Sequence, residues 1–242
     1  MTAATTHAAS RTHTGATEAE EDYARAIYDL LGRSGGRAVS TSHLAERLQV
    51  TPGSASAMVK KLTERGLAEH VPYRGVSLTA AGERVALEVI RHHRLLELYL
   101  SEHLDVPWDQ VHHEADRLEH VLSEELEARI AAKLRYPTHD PHGDPIPTSE
   151  LMLATDATVN LATLGPGARG HVARVSDANP DMLRYLREQG VGVGDRVEVL
   201  DCQPFGGPVT VRVATRHLTL GDALARAIRV ELYDYSQPTS PR

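Results

Sequence analysis

Residues 40–66 read STSHLAERLQVTPGSASAMVKKLTERG, and this stretch decides the fold. Ser40 offers a hydroxyl just before the helically spaced Leu44, Ala45 and Leu48, so it is expected to cap a short helix. Gln49-Val50 makes a turn, and Thr51-Pro52 then supplies an N-cap followed by proline at the first helical position, where a missing N–H costs nothing. The second helix runs through Met58, Val59 and Leu62 to Gly66, a residue suited to a helix C-terminus. Helix, tight turn, helix is the outcome. Downstream, the apolar runs Leu67 to Val71 and Gly75 to Leu78 flank Pro72-Tyr73-Arg74-Gly75, which adds a β-hairpin wing. Upstream, Tyr23, Ile27, Leu30 and Leu31 recur at helical spacing between Glu20 and Gly32, and Ser34-Gly35-Gly36 ends that helix.

Beyond the wing, Thr79 is placed to cap a long helix through Val85, Val89, Leu96 and Leu100. After Asp105-Val106-Pro107 two more helices are expected, at about Trp108 to His120 and Ser123 to Leu134. Tyr136 to Pro147 is dense in Pro, His, Asp and Gly, so it reads as irregular, and few core signals follow before Leu164. From Gly165 the apolar runs His171 to Val175, Arg196 to Leu200, Val209 to Val213 and Ala227 to Leu232 alternate with turns, around a helix at Pro180 to Gln189. Four or five short strands with one helix suggest a small β-barrel. The expected organisation is a disordered tail (1–19), a winged helix-turn-helix (20–82), a helical domain (83–147), a linker (148–164), a β-barrel (165–235) and a second tail (236–242). The fold class is mainly α with a β-barrel appendage.

The 242 residues are 41% hydrophobic but 4% aromatic, which favours aliphatic helical packing. A single cysteine, Cys202, excludes an internal disulfide framework and any multi-cysteine zinc module within one chain. With no run of about 18 apolar residues and no apolar core in the first 15, neither a membrane span nor a secretory signal is expected, which points to the cytoplasm. The formal charge of −7 argues against a general nucleic-acid binder. Between Arg37 and Arg84, however, basic residues outnumber acidic ones seven to four. From Glu97 to Glu127 acids dominate and histidines are dense.

On the long helix His93 and Glu97 are four apart; on the next, His112, Asp116, Glu119 and His120 stand at i, i+4, i+7 and i+8. Each set therefore shares one helical face. A solvated charged face gives the same spacing, but Leu118, Val121 and Leu122 place the second helix in a core, and its charged face is neither alternating in sign nor Lys-rich. Spacing alone leaves a solvated face and a divalent-metal site both open. His92, His103, His113, Glu114 and His142 read as ordinary structural neighbours that point elsewhere, and Cys202 as a small hydrophobe. No nucleophile elbow, Walker motif or HExxH motif occurs. A carboxylate-rich metalloenzyme is disfavoured by the absence of paired Glu-x-x-His motifs, and a regulator of small organic effectors by the single Trp and single Phe.

The winged helix, the long helix, the string His112-His113-Glu114-Ala115-Asp116-Arg117-Leu118-Glu119-His120 and then Pro141-His142-Gly143-Asp144-Pro145-Ile146-Pro147 follow one another in an order that resembles the diphtheria toxin repressor family of metal-dependent regulators. The manganese-responsive, MntR-type actinobacterial members are especially similar, over about Glu20 to Leu232. The resemblance implies a repressor that binds palindromic operator DNA as a metal-loaded homodimer, with a helical metal-binding and dimerisation domain and a FeoA-like β-barrel. By position it puts a primary metal site on Asp22, Asp116, Glu119 and His120 and an ancillary site on His93, Glu97 and His112, with Asp177 or Asp181 as candidate ligands from the third domain. Iron-responsive members carry Met and Cys where this chain has Asp22 and Asp116; hard oxygen donors suit Mn2+, with Fe2+ the alternative and Co2+, Ni2+ or Zn2+ as in-vitro substitutes. Shorter manganese regulators carry a Glu where this chain has Arg25, which speaks against a compact two-metal cluster. The recognition helix would present Thr51, Pro52, Ser54, Ser56 and Ala57 to DNA, with Lys60, Lys61 and Arg74 for phosphates and Tyr73-Arg74-Gly75 as the wing tip.

Overall fold

Thr17 and Glu20 start the first helix, α1 (Glu18–Arg33). The Glu20 carboxylate accepts from the Thr17 backbone N–H at 2.8 Å, while the Thr17 carbonyl accepts from the Glu20 and Glu21 N–H groups. This is the glutamate half of a capping box, and it begins the helix two residues before the expected Glu20, inside the expected tail. The computed structural model describes residues 15–33, 35, 38–71 and 74–233, so most of the N-terminal tail, the 236–242 tail, Ser34, Gly36, Pro72 and Tyr73 lie outside the described residues. The described chain forms two compact units. One takes in residues up to His92 with Leu118–Ala132 and Pro147–Met152; the other holds His93–Arg117, Lys133–Ile146 and the chain from Leu153.

In the first unit α2 (Thr41–Arg47) and α3 (Pro52–Glu64) form the helix-turn-helix. Ser40 accepts from the His43 N–H and Thr51 from the Ser54 N–H, the two caps expected. β1 (Ala68–Val71) and β2 (Gly75–Leu78) pair antiparallel as the wing. Ile27, Leu44, Ala55, Leu62 and Val76 are fully buried at the centre. Behind the wing, α4 (Ala80–Leu104) is capped by the Thr79 hydroxyl, which accepts from Gly82 N–H at 3.2 Å. A Cβ on Gly82 would stand 1.9 Å from the Leu67 carbonyl oxygen. Gly82→Ala is therefore expected to destabilise the protein by about 1–3 kcal/mol through overpacking, although alanine ordinarily favours a helix interior by about 1 kcal/mol. A urea midpoint that rises in this variant would show that the helix can move away from Leu67.

The single helix expected from Trp108 to His120 divides. α5 (Val111–Leu118) gives way to a 3-10 turn, Glu119–Val121, and α6 (Glu124–Lys133) follows. Leu122 is extended (ψ 117°) and Ser123 accepts from the Leu126 N–H to open α6. The last turn before it tightens to i→i+3 bonding, so Glu119 and His120 leave the α-helical stripe that sequence spacing assigned to them.

In the second unit the C-terminal strands form one antiparallel six-stranded sheet. In chain order they are β3 (Val159–Asn160), β4 (Arg169–Val175), β5 (Arg196–Cys202), β6 (Val209–Val213), β7 (Arg216–Leu220) and β8 (Ile228–Leu232), arranged β3-β8-β4-β5-β6-β7. Among the described residues β3 and β7 do not pair with each other, so the sheet is not the closed barrel expected. Two-residue β3 offers two partners to β8 and nothing further for closure. α7 (Pro180–Glu188) buries Leu183 and Leu186 with Val172, Val199, Val211 and Val230, and α8 (Asp222–Ala227) precedes β8. The expected linker contains β3 and the buried Leu161.

Candidate metal centre

In the first unit, α1 and the 3-10 turn bring Asp22, Glu119 and His120 together, with one donor atom from each lying within 4.8 Å of the others. His120 Nε2 is 3.1 Å from Asp22 Oδ1 and 3.5 Å from Glu119 Oε1, and its Nδ1 is 2.7 Å from Glu21 Oε2. Both ring nitrogens face carboxylates; hydrogen bonds to Asp22 and Glu21 push the imidazole up to about 10 against the opposing effect of burial. Arg25 Nη1 lies 2.8 Å from each carboxylate oxygen of Glu119, which is 2% exposed. Glu21 was not singled out from sequence; its carboxylate holds the His120 ring at Nδ1, as a carboxylate partner does for a histidine that ligates metal.

In the second unit His93, Glu97, His112 and Asp177 converge. His93 Nε2, His112 Nδ1 and Glu97 Oε1 form a triangle with sides of 2.9, 2.9 and 3.0 Å, and Asp177 Oδ2 is 3.2 Å from His112 Nδ1. Two imidazole nitrogens and a carboxylate oxygen aimed at one point are a donor set for a divalent ion, since no single proton can serve all three edges. Burial would lower His112, but Asp177 and Glu97 outweigh it and push it up to about 10. Burial would likewise raise Glu97, but His112, His142 and His93 hold it well below the ordinary carboxylate range. Asp116 faces the same histidines, 3.3 Å from His93 Nδ1 and 3.5 Å from His112 Nε2. Asp181 is not brought to this set: it starts α7, is highly exposed and pairs with Arg184 at 3.1 Å.

Sequence reading took His142 as an ordinary structural neighbour and did not single out Asp140. His142 is fully buried; its Nε2 donates to the Trp108 carbonyl, and Nδ1 faces Glu97 Oε2 at 3.5 Å, neither atom of that pair having a hydrogen-bond partner among the described residues. Burial and then the neighbouring Asp144 push Asp140 up to about 8. Glu97, Asp140 and His142 thus form a further buried cluster of potential donors behind the first. The fit to a divalent cation is good in both units: every donor is a carboxylate or imidazole, among the described residues.

On the winged helix, Thr51, Pro52, Ser54, Ser56, Ala57, Lys60, Lys61 and Arg74 are all exposed. Thr51 caps α3, Ser56 donates to the Pro52 carbonyl at 2.9 Å, and Lys61 lies 3.3 Å from the buried Glu20.

A winged helix in one chain with two carboxylate–imidazole sets defines a metal-responsive DNA-binding protein. The comparisons agree along most of the described chain. Residues 16–76 match the iron dependent repressor N-terminal DNA binding domain, 79–148 the iron dependent repressor metal binding and dimerisation domain, and 159–232 the FeoA domain. The iron-dependent repressor IdeR of Mycobacterium leprae is 34% identical over 87% of this chain and 96% of its own. The diphtheria toxin repressor of Corynebacterium efficiens is 30% identical over 88% of this chain and 95% of its own. A solved manganese-dependent transcriptional repressor in complex with manganese is 40% identical, with TM-score 0.81 over 88% of this chain and all of that one. The chain belongs to the diphtheria toxin repressor family: it is a metal-dependent transcriptional repressor and not an enzyme.

Proposed function

We propose that this repressor responds to manganese and binds palindromic operator DNA as a homodimer in the cytoplasm, controlling metal transport and homeostasis genes. Among the described residues no helix is long and apolar enough to cross a membrane. The observation that carries the metal is donor chemistry: Asp22, Glu119 and His120 in one set, and His93, Glu97, His112 and Asp177 in the other, contain no sulfur. In this reading residues 20–82 contact DNA, 83–147 hold metal and dimerise, and 165–235 contribute Asp177.

A divalent ion held by Asp22, Glu119 and His120 supplies positive charge between carboxylates that otherwise repel. The chain's own groups prepare this. Glu21 turns the His120 ring, Arg25 holds Glu119, and Asp22 joins the set from α1, the helix that packs with α2 and α3 in the winged-helix core. Fixing α1 against the 3-10 turn favours one placement of the recognition helix, a population shift.

Asp116 is part of this proposal as a hard donor at a position where iron-responsive relatives of the resemblance use sulfur. Asp22→Met combined with Asp116→Cys is expected to shift activation of DNA binding toward Fe2+, Co2+ or Ni2+ and depress the response to Mn2+. Operator binding at graded concentrations of each ion tests this. An unchanged order of activation would favour the second reading, an iron regulator with oxygen ligands, in keeping with the iron-dependent repressors among the relatives.

A further inference from the structure

A line of buried charged groups ends on the backbone of one donor of the Asp22 set. His92 is 3% exposed and precedes His93 on α4, so it leaves the helix on a different face. Its Nδ1 is 3.2 Å from the Glu119 carbonyl oxygen and its Nε2 is 3.1 Å from Glu127 Oε2. A carbonyl oxygen accepts and never donates, so Nδ1 carries a proton. Glu127, 2% exposed, also accepts from Arg91 Nε at 2.7 Å, and Arg91 Nη1 donates to the Pro147 carbonyl at 2.6 Å. The ring of His92 is therefore held at both nitrogens, and the carboxylate holding it is itself held.

The Glu119 carbonyl sits where α5 gives way to the 3-10 turn. Carbonyls at a helix end lose their i+4 partners and need donors from elsewhere. Here a side chain supplies one to the residue that begins the turn, and that turn's backbone sets where the Glu119 carboxylate and His120 imidazole project. We propose that His92 is a positioning residue of the metal centre, fixing the Glu119–His120 turn toward Asp22, with Glu127 and Arg91 fixing the ring in turn. The inference rests on the reading of Asp22, Glu119 and His120 as metal donors. It replaces the expectation, drawn from sequence, that His92 is an ordinary neighbour.

Cobalt(II) titration of the full chain tests it, because the visible bands of bound cobalt report donor geometry as well as affinity. His120→Ala identifies the part of the spectrum that belongs to the Asp22 set. His92→Phe keeps a ring and loses both hydrogen bonds; it is expected to weaken cobalt binding at that set by about 10–100-fold and displace its bands. His92→Gln, whose amide can donate to the Glu119 carbonyl, is expected to recover most of both. A folded His92→Phe with wild-type bands and affinity, even at a lower melting temperature, overturns the proposal. Should His92→Phe fail to fold, Glu127→Gln loosens the ring without removing it. A smaller displacement of the same bands is then expected, and unchanged bands overturn the proposal. If His120→Ala itself leaves the cobalt spectrum unchanged, the donor assignment fails instead, and the role of His92 falls with it.

Discussion

His120→Ala is expected to abolish the metal dependence of operator binding while leaving the fold intact. The imidazole stands between Asp22 and Glu21 on α1 and Glu119 beside it, so its removal takes the one nitrogen donor from this set. It also leaves three carboxylates facing one another, with Arg25 as the counter-charge to Glu119. The hydrophobic core does not depend on it: Ile27, Leu44 and Leu62 are buried elsewhere in the unit, and the caps at Ser40 and Thr51 are untouched. Allosteric coupling of about 1–3 kcal/mol corresponds to about a 5- to 150-fold change in DNA affinity on metal loading. That ratio is expected to collapse to about one in His120→Ala. Operator binding measured with manganese and with chelator gives the ratio, and a circular dichroism melt controls for folding. A variant that keeps the wild-type ratio would remove the Asp22 set from the switch.

The winged helix was legible because its signals are local. Ser40, Thr51-Pro52 and Gly66 each mark a helix end by their own chemistry, and the apolar spacing between them needs no partner to be read. Thr17-x-x-Glu20 was equally local, yet it was hidden by the low-complexity stretch before it. The metal sets were legible as residue types but less so as groupings. Spacing put Asp116, Glu119 and His120 on one stripe, and the stripe breaks because extended Leu122 withdraws the partners that would continue the α-helix. His142 and Asp140 lie in a turn with no periodicity. They are buried because Val175 N–H donates to the His142 carbonyl and because Gly143 approaches the Ala173 carbonyl too closely for any Cβ, contacts set by distant strands. β7 was missed for a different reason. Its hairpin with β6 turns through Ala214, at φ 49°, where no glycine or asparagine announces the turn, and its exposed Arg216, His217 and Thr219 hide the strand period.

Metal affinity is expected to rise steeply with pH across the neutral range, because protons and cations compete for the same atoms. His120 and His112 are both pushed up to about 10, so near neutral pH each carries a proton between carboxylates. The protonated His120 ring donates from Nε2 to Asp22 and from Nδ1 to Glu21, and the protonated His112 ring lies among Glu97, Asp116 and Asp177. For the metal-free protein the sign is that of a raised histidine. The stability it contributes is fully present below about 6.5, the unfolded value, and is lost as pH rises through about 10. For binding the sign reverses. An imidazolium must release its proton before the nitrogen can donate to a cation, so each histidine that ligates costs one proton. Affinity at either set should therefore increase about tenfold per pH unit, or about 100-fold between pH 6.5 and 8.5 for one released proton. Calorimetric titration with Mn2+ in buffers of different ionisation enthalpy counts the protons directly. His120→Ala should remove the proton release of the Asp22 set and leave that of the His112 set in place. Affinity that is flat from pH 6.5 to 8.5, with no proton release, would mean that neither imidazole gives a nitrogen to the metal.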